Sequence, residues 1–147
     1  MPELLNEQIK GQVKEALGQM QHPVQVLFFG SKENCDYCAD TRQLAEEVCT
    51  LSDQLGLSVY DIQADAALAT QYHVDKTPCL VIAAKDGETI SDFGIRIAGI
   101  PGGYDFSAFI QILLLVANRD SGLSEQTRQA LKSLKAPVDL QVFVTPT

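Results

Sequence analysis

The spacing of apolar positions changes several times along the first seventy residues, and each change marks a predicted element. Apolar residues recur at helical spacing over 1–20, which predicts an amphipathic helix. The unbroken apolar run over 24–30 predicts a buried strand, and helical spacing returns over 40–55. Residues 57–62 alternate like a strand, and a short helix is predicted over 65–72. This alternation of strands and helices favours two parallel strands with helices on the sheet faces.

Turn signals divide the second half of the chain. Two apolar runs, 80–84 and 90–98, flank the dipeptide Asp86-Gly87, which is typical of a hairpin, so these runs are predicted to pair antiparallel. A mixed sheet results. The apolar stripe from Phe106 to Val116 predicts a helix that covers this sheet.

The last residues repeat the pattern of the first strand. A helix is predicted over 124–135, Pro137 closes it, and the apolar run 138–144 predicts one more strand. This run looks like a weak second copy of the strand predicted over 24–30. Because a strand this apolar does not stay solvated, we expect it to pair with a sheet edge, to dock against another chain, or to be disordered past Leu140.

The motif Cys35-Asp36-Tyr37-Cys38 directly follows the first predicted strand, at the turn into a helix. Two thiols spaced C-x-x-C can exchange a disulfide with another molecule, because the first attacks and the second resolves. The positive end of the helix dipole favours thiolate over thiol, which lowers the pKa of the leading cysteine. Cys35 and Cys38 are therefore the candidate catalytic residues, and we expect no cofactor beyond the disulfide that they form.

Two other interpretations of the motif are weaker. A zinc site would need a second pair of ligands, and the remaining candidates are scattered singly. These candidates are His22, Cys49, His73 and Cys79. Two inert thiols in a core helix would be plausible, but the polar pair Asp36 and Tyr37 between them indicates an exposed turn. We therefore expect no metal.

Composition narrows the class of protein. The chain has 147 residues, 46% apolar and 20% charged, which suits one globular domain. A net charge of −8 with 11 dispersed basic residues argues against a nucleic-acid partner. No apolar run approaches the roughly 20 residues that a membrane helix needs, and no secretory leader is apparent. We expect a cytoplasmic protein without membrane partners, where a cysteine pair is more often catalytic than structural.

Three segments carry a family resemblance: the C-x-x-C turn, residues 72–78 and residues 92–103. The chain resembles the N-terminal thioredoxin-fold unit of the two-unit protein disulfide oxidoreductases, also called glutaredoxin-like domain proteins. The resemblance implies an α/β thioredoxin-like fold, with a central mixed sheet, flanking helices, an extra N-terminal helix, and a C-terminal helix and strand. It also implies a thioredoxin-like domain over 1–120, followed over 121–147 by a linking helix and the first strand of a missing second unit.

The resemblance assigns further site residues. Thr77 would precede a cis peptide bond to Pro78, and these two residues, with Tyr37, would contact the substrate. Cys79 would lie within several ångströms of Cys35 as a third thiol that modulates the pair. The alternative for Cys79 is a small apolar residue that starts a buried strand.

The chain departs from the thioredoxin pattern near the motif. Thioredoxins commonly carry a buried aspartate on the preceding strand, and residues 24–30 contain none, which leaves Glu33, Glu46 or water to accept the proton. Asp36 adjoins the attacking sulfur and is expected to raise the pKa of Cys35. Because a less stabilised thiolate favours the disulfide, we expect a couple near the thioredoxin value of about −270 mV, not the value of about −120 mV of strong oxidants.

The predicted function is a protein-disulfide oxidoreductase that reduces or exchanges disulfides in protein substrates. A thioredoxin-reductase-like flavoprotein is the candidate electron donor. One alternative is a non-catalytic docking module for a flavoprotein reductase or a peroxidase, although it would not need an intact cysteine pair. Another is a glutathione-dependent glutaredoxin, which would require basic residues near the motif, and Lys32, Arg42 and Lys76 are the ones available. The oligomeric state stays open.

Overall fold

The computed structural model describes residues 2–145 and contains one four-stranded sheet. The elements, in chain order, are α1 (Glu7–Leu17), β1 (Val24–Gly30), α2 (Cys38–Cys49), β2 (Leu55–Asp61), α3 (Ala66–Gln71), β3 (Cys79–Asp86), β4 (Thr89–Ala98), α4 (Tyr104–Ala117) and α5 (Glu125–Lys132). Side-chain caps start two of the helices: Asn6 accepts the Ile9 amide at α1, and Ser124 accepts the Thr127 amide at α5.

The sheet has the strand order β2-β1-β3-β4 and is mixed, as predicted. β1 runs parallel to β2 and antiparallel to β3, and β3 and β4 form an antiparallel hairpin. The hairpin turns through Gly87, whose φ of 64° is a conformation that glycine adopts without steric cost. The parallel pair and the hairpin are both where the sequence predicted them.

Side chains of β1 and β3 alternate between two apolar clusters, one on each face of the sheet. The larger cluster joins Phe28 and Leu80 to buried residues of α1, α2 and α4, among them Phe109 and Leu113. The smaller cluster lies on the α3 side and contains Phe29. No helix in the described part of the chain combines the length and the hydropathy needed to cross a membrane.

The C-terminal segment differs from its prediction. α5 is shorter than the predicted 124–135 and has no buried residue, and residues 138–144 form no strand. Phe143, for example, is 88% exposed. An alternating apolar pattern becomes a strand only where a neighbouring strand supplies hydrogen-bond partners, and the described residues offer this segment none. The division of the chain after residue 120 stays a prediction; Met1, Pro146 and Thr147 lie outside the described residues.

Candidate active site

Cys35 and Cys38 form a disulfide at the turn between β1 and α2. The helix begins at Cys38 after the cap residue Tyr37, so Cys35 lies in the turn just ahead of it. Cys38 is 9% exposed and belongs to the larger core cluster, whereas Cys35 is half-buried at the edge of that cluster. A partner can therefore approach Cys35 more easily than Cys38.

The sulfur of Cys38 lies against the end of β1. The Ser31 amide donates to Cys38 Sγ across 3.4 Å, a contact that would stabilise a thiolate once the disulfide opens. A Cβ atom placed on Gly30 would lie 2.7 Å from the Phe28 ring and 3.5 Å from Cys38 Sγ. Gly30 therefore leaves the space that the ring and the sulfur share.

A cavity of about 460 Å³ opens beside Cys38, between α2 and the ends of β1 and β2. Its charged lining residues are Lys32, Arg42, Asp61 and Asp65. Hydrogen bonds from the Ala64 and Gln63 amides lower the pKa of Asp61, which makes its carboxylate a weak proton acceptor. Water that enters this cavity is better suited to receive the proton of Cys38.

The two glutamates expected as proton acceptors lie elsewhere. Glu46 Oε1 accepts a hydrogen bond from Arg42 Nε at 2.7 Å on the exposed side of α2, and Glu33 is exposed in the preceding loop. Neither lines the cavity beside Cys38. The sequence did not indicate that Asp61 and Asp65 line this cavity. Strand pairing, and not sequence proximity, brings the end of β2 beside β1.

The segment that ends in Thr77 and Pro78 lies at the same end of the sheet as the disulfide. Phe29 pairs with Cys79 across β1 and β3, so Pro78 lies beside the end of β1, next to the turn that holds the disulfide. Pro78 is buried, Thr77 is half-buried, and the peptide bond between them is cis. The two sequence-distant segments of the predicted site are therefore neighbours.

The Cys79 side chain packs on the opposite face of the sheet from the cysteine pair. This side chain is 3% exposed and packs in the α3-side cluster with Phe29 and Tyr72, whereas Cys38 packs on the other face of the sheet. Burial raises the pKa of the Cys79 thiol to about 11. The placement favours the alternative, a small residue at the start of a buried strand. A modulating effect of Cys79 on the pair stays a prediction.

The surface around the disulfide is polar and exposed. Asp36 is exposed and Tyr37 is 59% exposed, which leaves the Tyr37 ring free to contact a partner. Of the basic residues that a glutathione-dependent site would use, Lys32 and Arg42 line the cavity beside Cys38. Lys76 Nζ instead pairs with the neighbouring Asp75 carboxylate at 2.5 Å.

Several solved structures share this architecture. A protein disulfide oxidoreductase from Aeropyrum pernix K1 aligns with 90% of this chain and 57% of its own, at 30% identity and a TM-score of 0.76. The alkylhydroperoxide reductase AhpF from Enterococcus faecalis aligns with 90% of this chain and 62% of its own, at 17% identity and a TM-score of 0.78. A thioredoxin from Trichomonas vaginalis aligns with 76% of this chain and 91% of its own, at 18% identity and a TM-score of 0.50. This chain is a thioredoxin-fold unit.

Sequence comparison adds curated relatives of the thioredoxin-fold unit. The alkyl hydroperoxide reductase AhpF from Staphylococcus aureus strain MRSA252 is 24% identical to it over 144 residues, which are 98% of this chain and 25% of that protein. The unit thus spans about a quarter of the length of the curated relatives that it matches. No protein-family profile matches it. The comparisons confirm the resemblance to protein disulfide oxidoreductases.

Two contacts at the site of the thioredoxin-fold unit were not predicted from its sequence. The first is the Ser31 amide at Cys38 Sγ, which is a backbone group and leaves no signal in the residue type. The second is Arg96, whose guanidinium reaches the segment that leads to Thr77. A lone arginine in the otherwise apolar half of a strand was the available signal, but its partner lies 24 residues away.

Proposed function

We propose that this thioredoxin-fold unit is a thiol-disulfide oxidoreductase that acts on protein disulfides through Cys35 and Cys38. The observation that carries the proposal is the unequal exposure of the two bonded sulfurs, with Cys35 half-buried at the surface and Cys38 in the core. An accessible sulfur can meet a substrate while the protected one waits to resolve the intermediate. The similarity to the Aeropyrum pernix protein disulfide oxidoreductase supports the same reaction class.

The reaction starts from the reduced pair. The Cys35 thiolate attacks one sulfur of the substrate disulfide, a new sulfur–sulfur bond forms, the substrate bond breaks, and the leaving thiolate takes a proton from solvent. Cys38 then gives up its proton and attacks Cys35 Sγ, which releases the second substrate thiol. In total the unit loses two electrons and the proton of Cys38, and with one further proton from solvent the substrate disulfide becomes two thiols.

The surroundings of Cys38 support its role as the resolving residue. The Ser31 amide donates to its sulfur and so stabilises the thiolate that attacks. The cavity at its side admits water, to which the proton can pass. No buried carboxylate on β1 is needed for this step, because the cavity gives the proton a route to solvent.

The substrate would lie at the end of the sheet where the turn that holds the disulfide meets the segment before β3. Tyr37 offers an exposed aromatic ring on one side, and on the other Thr77 offers its backbone groups, with Pro78 beside it at the start of β3. An extended polypeptide can pair with backbone groups at such a position while its disulfide lies over Cys35. Asp36, beside the attacking sulfur, tunes the pKa of Cys35 upward in this proposal.

The oxidised pair must be reduced again for turnover. A flavoprotein reductase of the thioredoxin-reductase type, or a small dithiol, would supply the two electrons and two protons. Recycling of this kind requires a reducing compartment, so a cytoplasmic location is part of the proposal.

Disulfide reduction by the full chain tests the proposal. With dithiothreitol as the electron source, the chain should accelerate the reduction of insulin, and Cys35→Ser should abolish the acceleration. Cys49→Ser is the matched control, because Cys49 is a partly buried thiol at the end of α2, the helix that follows Cys35, and burial raises its pKa to about 12. Equal loss in both variants, or no acceleration by the native chain, would refute the proposal.

A docking module is the second candidate, and one observation favours it. Nearly the whole chain aligns with a quarter of a longer alkyl hydroperoxide reductase protein, so the unit can be the part of a larger system that positions other components. An assay of electron flow from a flavoprotein reductase to a peroxidase separates the two functions. Flow that stops in Cys35→Ser supports catalysis, and flow that continues in Cys35→Ser supports docking.

A further inference from the structure

Arg96 connects β4 to the segment that carries Thr77 and Pro78. Its Nε donates to the Tyr72 carbonyl oxygen at 2.8 Å, at the residue where α3 ends. Its guanidinium carbon also lies 6.0 Å from the centroid of the Tyr72 ring, a distance at which a cation and an aromatic face attract each other. Arg96 therefore holds both the backbone and the ring of Tyr72.

Asp92 fixes the orientation of this guanidinium. Its carboxylate accepts hydrogen bonds from Arg96 Nη1 at 2.8 Å and from Nη2 at 2.7 Å, a two-point contact that permits only one orientation of the planar group. The hydrogen bonds from Arg96 lower the pKa of Asp92, so the pair is ionised at neutral pH. Both residues flank an irregularity of β4, where the register with β3 shifts beside Gly94.

The other end of the same segment is attached to the same strand. The Gly99 amide donates to the Pro78 carbonyl oxygen at 2.9 Å, and Cys79 pairs with Ala98. The residues between Tyr72 and Pro78 are thus held to β4 at both ends. Within this span Val74 is buried and its amide donates to the Ala69 carbonyl oxygen at 2.8 Å, whereas Asp75 and Lys76 are exposed, so the two attachments to β4 act together with this contact to restrain Thr77.

We propose that Arg96 is a positioning residue for substrate binding. By fixing the start of the segment 72–78, it holds the Thr77 backbone in the conformation that pairs with an extended polypeptide. Without Arg96, the segment would have to become ordered when the substrate binds. The cost in conformational entropy would weaken substrate binding. The proposal rests on the proposed function and adds that the segment 72–78, held by Arg96, contributes to the binding of disulfides in extended protein segments and not to the binding of small disulfides.

The test compares a protein disulfide with a small disulfide. Arg96→Ala and the native chain are assayed with insulin and with 5,5′-dithiobis(2-nitrobenzoic acid), which has no peptide backbone to pair with Thr77. We expect the KM for insulin to rise by about three- to tenfold, the range that the loss of one or two hydrogen bonds gives. The kcat for insulin and both constants for the small disulfide should stay unchanged.

Two further variants keep the result interpretable. Arg119→Ala removes a guanidinium of similar exposure, 24% against 22%, that pairs with Asp86 at the far end of β3, and it should leave both substrates unchanged. Arg96→Lys keeps the charge but loses the two-point contact with Asp92, so it should show a smaller rise in KM and tests the proposal if Arg96→Ala does not fold.

The outcomes separate this inference from the proposed function. An equal change with both substrates in Arg96→Ala, or an unchanged KM for insulin in both Arg96 variants, would overturn the positioning role while the native chain stays active. A native chain that reduces neither substrate would overturn the proposed function itself.

Discussion

Gly30 is the position where the candidate site has least room for an added atom. A Cβ there would lie 2.7 Å and 2.8 Å from two ring atoms of Phe28, well inside the contact distance of two carbon atoms. Phe28 is 3% exposed in the larger core cluster, so its ring cannot swing away into solvent. Gly30→Ala must therefore displace the ring, the strand end or the Cys38 sulfur. Overpacking of this kind costs about 1–3 kcal/mol.

Gly11→Ala is the matched control for this substitution. Gly11 lies inside α1 with nothing within 4 Å of its added Cβ, so alanine should stabilise the helix by about 0.5–1 kcal/mol. Urea denaturation of the oxidised chain measures both changes in the free energy of unfolding. We expect opposite signs, with Gly30→Ala destabilising. A neutral or stabilising Gly30→Ala would refute the close packing of Phe28 and Cys38 around this residue.

Three further predictions concern charge and the remaining thiols. Although burial opposes it, hydrogen bonds from the Leu4 and Leu5 amides lower the pKa of Glu47, so its stabilisation is present above the ordinary carboxyl pKa and is lost as the pH falls through the lowered value. Glu47→Gln should therefore cost about 1 kcal/mol at pH 7, in urea denaturation, and nothing at pH 2; an equal cost at both would contradict this. Asp36→Asn should lower the pKa of Cys35 in thiolate absorbance titrations and make the couple more oxidising, and an unchanged pKa would count against a role for Asp36. Cys79→Ser should leave the reduction potential and the alkylation pattern of the pair unchanged, and a shifted potential would restore its modulating role.

The sequence predicted the parts of the fold that are determined locally. The run 24–30 became β1 because an unbroken apolar segment must be covered on both faces, and the turn at Asp86-Gly87 produced the hairpin because glycine meets its backbone requirement. The apolar run 138–144 predicted a strand in the same way, but these residues form none. A strand needs a neighbour as well as a pattern, and the pattern does not reveal whether the neighbour exists.

For the candidate site too, the sequence predicted the locally determined part and not the part that depends on long-range contacts. Cys35 and Cys38 were found because a redox pair leaves a spacing in the sequence, and their bond agrees with that expectation. The face on which Cys79 packs and the link from Arg96 to Tyr72 depend on strand register and on long-range contacts. Neither leaves a local spacing, so neither could be derived from the residues alone.

The order in which the thiols react tests the central claim most directly. The fully reduced chain is treated with a limiting amount of iodoacetamide at pH 7, and the labelled cysteine is mapped by mass spectrometry. The proposed attacking role predicts that Cys35 is labelled first, because it is the accessible member of the pair. Labelling of Cys38 at the same rate as Cys35, or before it, would contradict the account.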